Sequence, residues 1–294
     1  MEGRARAPGA VSVVNAIMGG RGAAMAIDRH VEARVSLDPD ADGVSGLAAD
    51  RPDVDASLVE RCVEVTTARY GDGEGGAVET RSALPPSVGL KTSSAAANAA
   101  VLATLDALEV TEVDPLQAAR LGVVAARAVG VTATGAIDDA AASMLGGVAV
   151  TDNDSDALLA RGSWDRDLVV LVPPGRTPTA TVDVAALERF APLGAAATAS
   201  ALAGDYARAM ACNAVGVTAA LALDIEPVLE GLRTTGAASP SGTGPAVAAV
   251  GASSACDRLA AAWADRGRVI RTRSDRRGAR PRGGPSPASE SPRG

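Results

Sequence analysis

The chain contains only five aromatic side chains in 294 residues. A core without aromatic bulk has to be built from Ala, Val and Leu, and small side chains favour close packing of helix against sheet. Lysine occurs once, as Lys91, and histidine once, as His30. A lone histidine excludes a zinc site made of several imidazoles and leaves no spare histidine for a catalytic triad. Cys62, Cys212 and Cys256 lie far apart, with no CxxC pair and no disulfide framework, so buried free thiols are expected. No apolar run is long enough to span a bilayer. The N-terminus has no basic region followed by a secretory apolar core. These absences point to a cytoplasmic protein with no membrane partner.

The net charge is −7, unevenly spread. From Arg266 onward nine arginines face only Asp275 and Glu290, so the body before them is strongly acidic. An acidic body does not suit general nucleic-acid binding. The stretch 274–294 is rich in Arg, Gly, Pro and Ser and reads as a disordered basic tail. A homo-oligomer is compatible with this composition.

What is present is a loop aimed at a helix. Pro85-Pro86-Ser87-Val88-Gly89-Leu90-Lys91-Thr92-Ser93-Ser94-Ala95 runs into an Ala-rich segment that ends near Leu108 and reads as a helix. Such a junction directs free backbone N–H groups and the positive end of a helix dipole at one point, a ready anion site. Gly89 would let the backbone approach a phosphate, and Lys91 would add charge. Thr92, Ser93 and Ser94 offer hydroxyls to phosphate oxygens or to a metal ion. The same string also suits an ordinary loop entering a helix with a serine as N-cap. The G-x-x-x-x-G-K-[ST] spacing of a Walker loop is absent.

Two further segments follow in order. Thr134-Gly135-Ala136-Ile137-Asp138-Asp139 precedes an Ala-rich run and Gly146-Gly147. Ser241-Gly242-Thr243-Gly244-Pro245 precedes the apolar run 246–250. With the first loop, these resemble the three motifs of the GHMP small-molecule kinases. Further runs sharpen the resemblance: Val14-Asn15-Ala16 to Ala26-Ile27-Asp28, Ser93 to Ala99, Gly130-Val131-Thr132, and Ser143 to Val148. They are similar to the archaeal type of shikimate kinase over roughly residues 1–273.

That resemblance implies an α+β GHMP kinase fold. Its first domain, 1–160, would be ribosomal-protein-S5-domain-2-like and bind ATP; its second, 161–273, would be ferredoxin-like. The implied activity is ATP-dependent phosphorylation of the shikimate 3-hydroxyl, on the route to chorismate and the aromatic amino acids. Another kinase of the superfamily, acting on homoserine or pantoate, or a non-catalytic nucleotide-binding member, are the alternatives. ATP would be held by Pro86 to Ala95 (Pro86, Ser87, Val88, Gly89, Leu90, Lys91, Thr92, Ser93, Ser94, Ala95), with Gly242, Thr243 and Gly244 closing from the other half. Ser94 would ligate Mg2+. Several relatives add a metal-binding glutamate on the preceding helix, but 117–130 contains no acid here. Asn15 and Arg21 are the substrate-contacting candidates. Counting back from Gly146-Gly147, homoserine-kinase-like spacing selects Asp138 as proton acceptor and mevalonate-kinase-like spacing selects Asp139; Asp138 is favoured. Some relatives hold this aspartate with a lysine. Since Lys91 belongs to the loop, an arginine or nothing is expected in that role.

Periodicity and caps predict strands at 11–14, 24–27, 31–37, 77–82, 147–151, 167–172, 246–250 and 268–273. Helices are expected at 55–70, 95–108, 115–129, 139–145, 182–203, 205–223 and 253–265. Asp38 to Gly46 reads as a loop, and Asp152 to Trp164 as a domain boundary.

Overall fold

The structure is a computed structural model that describes residues 1–86, 88–132, 136–174 and 183–282. The first half runs β1 (Glu2–Val14), a 3-10 turn (Ala16–Met18), β2 (Arg21–Asp38), β3 (Val44–Ala48), α1 (Ser57–Tyr70), β4 (Gly75–Ser82), α2 (Thr92–Ala107), α3 (Pro115–Ala128), α4 (Ile137–Leu145), β5 (Val148–Asp152) and β6 (Ala157–Gly162). The 18-residue β2 organises the sheet. Along one side it pairs β1. Along the other its first residues pair β5 and its last pair β4, all antiparallel. β3 joins β4 in parallel, and β6 extends β5. Opposite Pro8, which has no N–H to give, the β1–β2 register shifts: Pro8 faces His30 while Gly9 faces Ile27.

The helices α1 to α4 pack together over this sheet, with α2 central. Alanine explains how closely. The α-carbon of Gly3 lies against the α2 backbone, where an added Cβ would sit 2.0 Å from the Ala103 carbonyl. Asp114 caps α3 by accepting from the Gln117 N–H, with Pro115 at the first helical position.

The second half runs β7 (Asp167–Val172), α5 (Val184–Glu188), α6 (Ala191–Leu202), α7 (Tyr206–Ala220), α8 (Glu226–Thr235), β8 (Ala238–Pro240), β9 (Val247–Gly251), α9 (Ser253–Ala262) and β10 (Arg268–Arg273). Its antiparallel sheet has the order β10-β7-β9-β8, the order of a ferredoxin-like split βαβ unit. Residues alternate along β7. Leu168 and Val170 enter the core shared with the first sheet, while Val169 and Leu171 pack with Leu259 and the buried Trp263. The fold is α+β throughout.

Several elements differ from expectation. The 182–203 helix is two, because Pro192 starts a new helix at α6. The strands β3 and β6 and the elements α8 and β8 stand where a loop, a boundary and no element were expected. β3 and β6 are short edge strands with half-exposed faces, which carry little hydrophobic pattern. The expected disordered tail is corrected for its first part. From Ser274 the chain crosses back to the first sheet and ends in β11 (Arg280–Pro281), paired to β1. Residues 283–294 lie outside the described residues.

This strap occupies the gap on β2 between β5 and β4. The Asp275 N–H donates to the Ala26 carbonyl and its carbonyl accepts from Gly147. Asp275 Oδ1 accepts from the N–H groups of Arg277 and Gly278, and its Oδ2 lies 3.1 Å from His30 Nε2. The Ala279 N–H caps the Met144 carbonyl at the end of α4. Burial pushes the Asp275 carboxyl up, but the bonds from His30, Gly278 and Arg277 outweigh it and hold it below the usual range. A carboxylate depressed in the folded state contributes stability above the unfolded pKa and loses it as pH falls through the folded one. Asp275→Ala is therefore expected to cost about 1–3 kcal/mol in urea denaturation at pH 7. That gap from the unsubstituted protein should shrink below about pH 4.

Candidate active site

The loop after β4 is tied by short bonds. The Ser82 hydroxyl donates to the Leu84 carbonyl, and Thr92 Oγ1 donates to the Pro85 carbonyl at 3.1 Å. Val88 and Leu90 bury their side chains, so these positions offer only backbone to the site. Ser87 lies outside the described residues. The N-cap of α2 is Lys91 in the left-handed region (φ 58°), not a serine. Its carbonyl accepts the first helical bond, from Ala95. The N–H groups of Thr92, Ser93 and Ser94 have no partner among the described residues, which leaves the anion site of the α2 N-terminus open. Ser93 is exposed and Ser94 half-buried.

The third motif meets this loop through backbone. Gly89 has φ +89°, and a Cβ there would lie 2.0 Å from the Ser241 carbonyl. Its glycine thus serves a close approach to the 241–245 loop, where the sequence suggested approach to a phosphate. The Ser241 hydroxyl donates to the Gly89 carbonyl at 2.6 Å and accepts from the Ser12 N–H. Ser12 Oγ in turn accepts from the Gly242 N–H. This buried seam ties β1, the α2 loop and the second sheet. Gly242 therefore sits beside Lys91, whose Nζ would lie 3.6 Å from a Cβ there, while Gly244 packs against Leu223 and Thr243 is buried.

Asn15 belongs to the same seam. Its N–H donates to Asn213 Oδ1, its side-chain amide donates to the Gly242 carbonyl, and its Oδ1 accepts from the Ile17 N–H. Asn213 then donates to Ser239. The structure thus gives Asn15 a part in holding two loops together. Arg21 opens β2. Its side chain is 54% exposed and paired with Asp152. Neighbours on a strand face opposite ways, and Gly22 is the residue whose α-carbon abuts Asp138.

Asp138 and Asp139 open α4, where the helix dipole favours anions. They are 4% and 8% exposed. Thr134 and Gly135, expected just before them, lie outside the described residues. The two carboxylates go different ways. Asp138 packs on β2: a Cβ on Gly22 would fall 2.5 Å from its Oδ2, and Asn153 Nδ2 donates to its Oδ1 at 2.9 Å. Asp139 Oδ2 lies 3.0 Å from Lys91 Nζ, and its Oδ1 is buried without a hydrogen-bond partner among the described residues. The loop lysine therefore does pair with an aspartate, where an arginine or nothing was expected. Burial raises the Asp139 carboxyl, the neighbouring Asp138 charge raises it further, and Lys91 only partly offsets them, leaving it at about 7. Burial pulls the Lys91 ammonium down, but Asp139 and Asp138 outweigh it and hold it charged. The helix α3 carries no acid, so the metal-binding glutamate of some relatives has no counterpart there.

Comparison with known proteins fits this geometry. The model of the GHMP kinases N terminal domain matches residues 57–147. A protein named shikimate kinase from Halobacterium salinarum is 50% identical over 282 residues, covering 95% of this chain and 99% of that one. One of the same name from Methanothrix thermoacetophila is 45% identical, covering 95% and 96%. Among solved structures, a homoserine kinase from Cytophaga hutchinsonii superposes with a TM-score of 0.76 at 16% identity, covering 95% of this chain and 97% of that one. The Methanococcus jannaschii mevalonate kinase gives 0.72 at 15% identity, covering 93% and 97%. At such identities the structures speak for the fold alone.

Two substitutions probe the junction. Gly89→Ala forces a Cβ into the Ser241 backbone at a strained φ and is expected to destabilise by about 1–3 kcal/mol. Lys91→Met leaves a buried carboxylate without its cation. It should cost about 3–5 kcal/mol at pH 8, and less at pH 5, where Asp139 takes up a proton. Chemical denaturation at both pH values reads each effect.

Proposed function

The chain belongs to the shikimate kinase family of the GHMP kinases, and from that membership we infer the roles of its site residues. The enzyme transfers the terminal phosphoryl group of ATP to the 3-hydroxyl of shikimate, giving shikimate 3-phosphate and ADP, a step toward chorismate. Phosphoryl transfer asks a protein mainly for positioning and charge neutralisation. The N–H groups of Thr92, Ser93 and Ser94 and the α2 dipole take the phosphate oxygens. Pro86, Val88, Gly89, Leu90 and Ala95 shape that loop through backbone and core contacts; Ser87 is assigned to it by resemblance alone. Gly242, Thr243 and Gly244 close the opposite wall.

Asp139 is the proton acceptor. As the 3-hydroxyl oxygen bonds to the γ-phosphorus and the bond to the bridging oxygen breaks, the hydroxyl proton passes to the Asp139 carboxylate. The observation that carries this choice over Asp138 is the Lys91–Asp139 ion pair beside a buried Asp139 oxygen that has no hydrogen-bond partner among the described residues. An acceptor titrating near neutrality suits the task. Lys91 places one positive charge between the acceptor and the phosphate-binding helix end.

Magnesium fits the hydroxyl-lined mouth of α2, where the Ser94 side chain makes no hydrogen bond among the described residues. Ser94 would hold the ion, which neutralises β- and γ-phosphate oxygens when bound. We take the two sheets as two domains, 1–160 and 161–273, with the strap returning to the first. Among the described residues no helix is long and apolar enough to cross a membrane. A cytoplasmic setting accords with the pathway.

A coupled ADP-release assay with ATP and magnesium, offering shikimate, homoserine, pantoate and mevalonate separately, tests the reading. Turnover is expected with shikimate alone. Asp139→Asn should lower kcat about 10²–10⁴-fold. Turnover restricted to another acceptor would overturn the substrate, and an active Asp139→Asn would overturn the acceptor.

A further inference from the structure

Asp138 and Asp139 are adjacent and both buried, and Asp139 pairs with the Lys91 ammonium group. The Asp138 charge raises the proton affinity of Asp139, and what else each carboxylate touches decides how strongly it does so. Asn153 decides this. It follows β5, and its backbone N–H donates to the Gly20 carbonyl, which pins it beside the 3-10 turn. The Thr151 hydroxyl lies 2.7 Å from Asn153 Oδ1. A hydroxyl donating there fixes the amide orientation, so that Nδ2 is the group facing Asp138. An amide N–H stabilises an ionised acceptor and gives nothing to a protonated one at the same oxygen.

We propose that Asn153 is a positioning residue of the kinase reaction: through Thr151–Asn153–Asp138 it holds Asp138 as the anion, so that the proton goes to Asp139. Asp138 is then a fixed negative charge that makes its neighbour a stronger base, and Asp139, facing Lys91, exchanges the proton. This rests on the reading of Asp139 as acceptor.

The surrounding charges leave Asn153 in control. From α2 only Lys91 acts on Asp139, and from α4 only Asp138. On β2, Arg21 is engaged by Asp152, which also accepts from Ser155. Arg120 and Arg127 of α3 are bound to Asp156. Arg161 of β6 donates to the Leu145 carbonyl at the far end of α4. Asp154 packs against Gly20. The end of β1, Val11 to Val14, has no charge. The geometry agrees with the direction in which burial and Asp138 move the Asp139 carboxyl.

The test compares the unsubstituted enzyme with Asn153→Leu and Asp138→Asn. One readout is kcat/KM for shikimate between pH 5 and 9. The other is carboxyl titration by 13C NMR on aspartate-labelled protein, with the Asp139 signal identified by its loss in Asp139→Asn. Activity needs Asp139 ionised, so the unsubstituted enzyme should lose activity as pH falls through the Asp139 midpoint. Without its charged neighbour, or with Asp138 free to take the proton, Asp139 ionises more easily. In both variants its midpoint and the acid limb should move to lower pH by about one unit or more, while kcat at high pH falls because the base is weaker. An Asp139 midpoint unmoved in both variants would overturn the proposal, even if activity dropped. Turnover that survives Asp139→Asn and disappears in Asp138→Asn would overturn it as well. The titration is read without substrate, so a failure of the shikimate assignment is seen separately in the ADP-release assay.

Discussion

Two helix N-termini meet in this fold, and the charge buried between them governs the site. Lys91 sits at the head of α2 and Asp139 in the first turn of α4. Each helix end carries partial positive charge. Asp138 and Asp139 offset it at α4, while at α2 Lys91 adds to it and leaves the N–H groups beyond it open. An isolated carboxylate at this depth would be costly. The ion pair removes most of that cost and still leaves Asp139 Oδ1 without a hydrogen-bond partner among the described residues. Stability is not the reason to bury such a group, since a well-packed apolar pair is commonly as good or better. What burial provides is a carboxyl whose proton affinity suits the acceptor role proposed for Asp139 at neutral pH.

The shortage of large side chains is what lets these ends come so close. Glycine and alanine at the contacts allow close approach: backbone meets backbone at Gly3 against α2 and Gly89 against Ser241, and backbone meets side chain at Gly22 against the Asp138 carboxylate. A larger residue at any of the three would push a helix off its sheet or one loop off another. The seam of Ser12, Ser241, Asn15 and Asn213 then supplies direction to what would otherwise be a smooth apolar contact. Buried and mutually satisfied, these bonds set the position of the 241–245 loop relative to the α2 loop.

Legibility in the sequence followed the strength of local chemistry. Asp114-Pro115 marked its helix because cap and proline act within one turn. The Pro85 to Ala95 loop and the order of the three motifs were readable for the same reason, and they led to the fold and to the family. Elements whose stability comes from distant partners were hidden. β3 and β6 are edge strands completed by neighbours far along the chain. The strap, Ser274 to Arg282, has a composition suited to disorder and is held by Ala26, Gly147, Met144 and His30 instead. The bonds of Asn15 and the pairing of Arg21 with Asp152 were not legible, because residue type does not reveal which way a side chain points. Asn153 carried a weak signal, a polar residue directly after an apolar strand, and only the fold brings it to Asp138.

The two aspartates show why spacing alone could not assign the acceptor. Adjacent residues on a helix point about 100° apart, so a one-residue difference in counting changes the neighbour altogether. Asp138 turns to β2 and Asn153; Asp139 turns to α2 and Lys91. A homoserine-kinase-like count and a mevalonate-kinase-like count are both self-consistent, because each places an acid in the first turn. The lysine breaks the tie, and it comes from the phosphate-binding loop itself. In this chain the loop and the acceptor are therefore joined through a single side chain. Whatever repositions the head of α2 also moves the cation that faces Asp139.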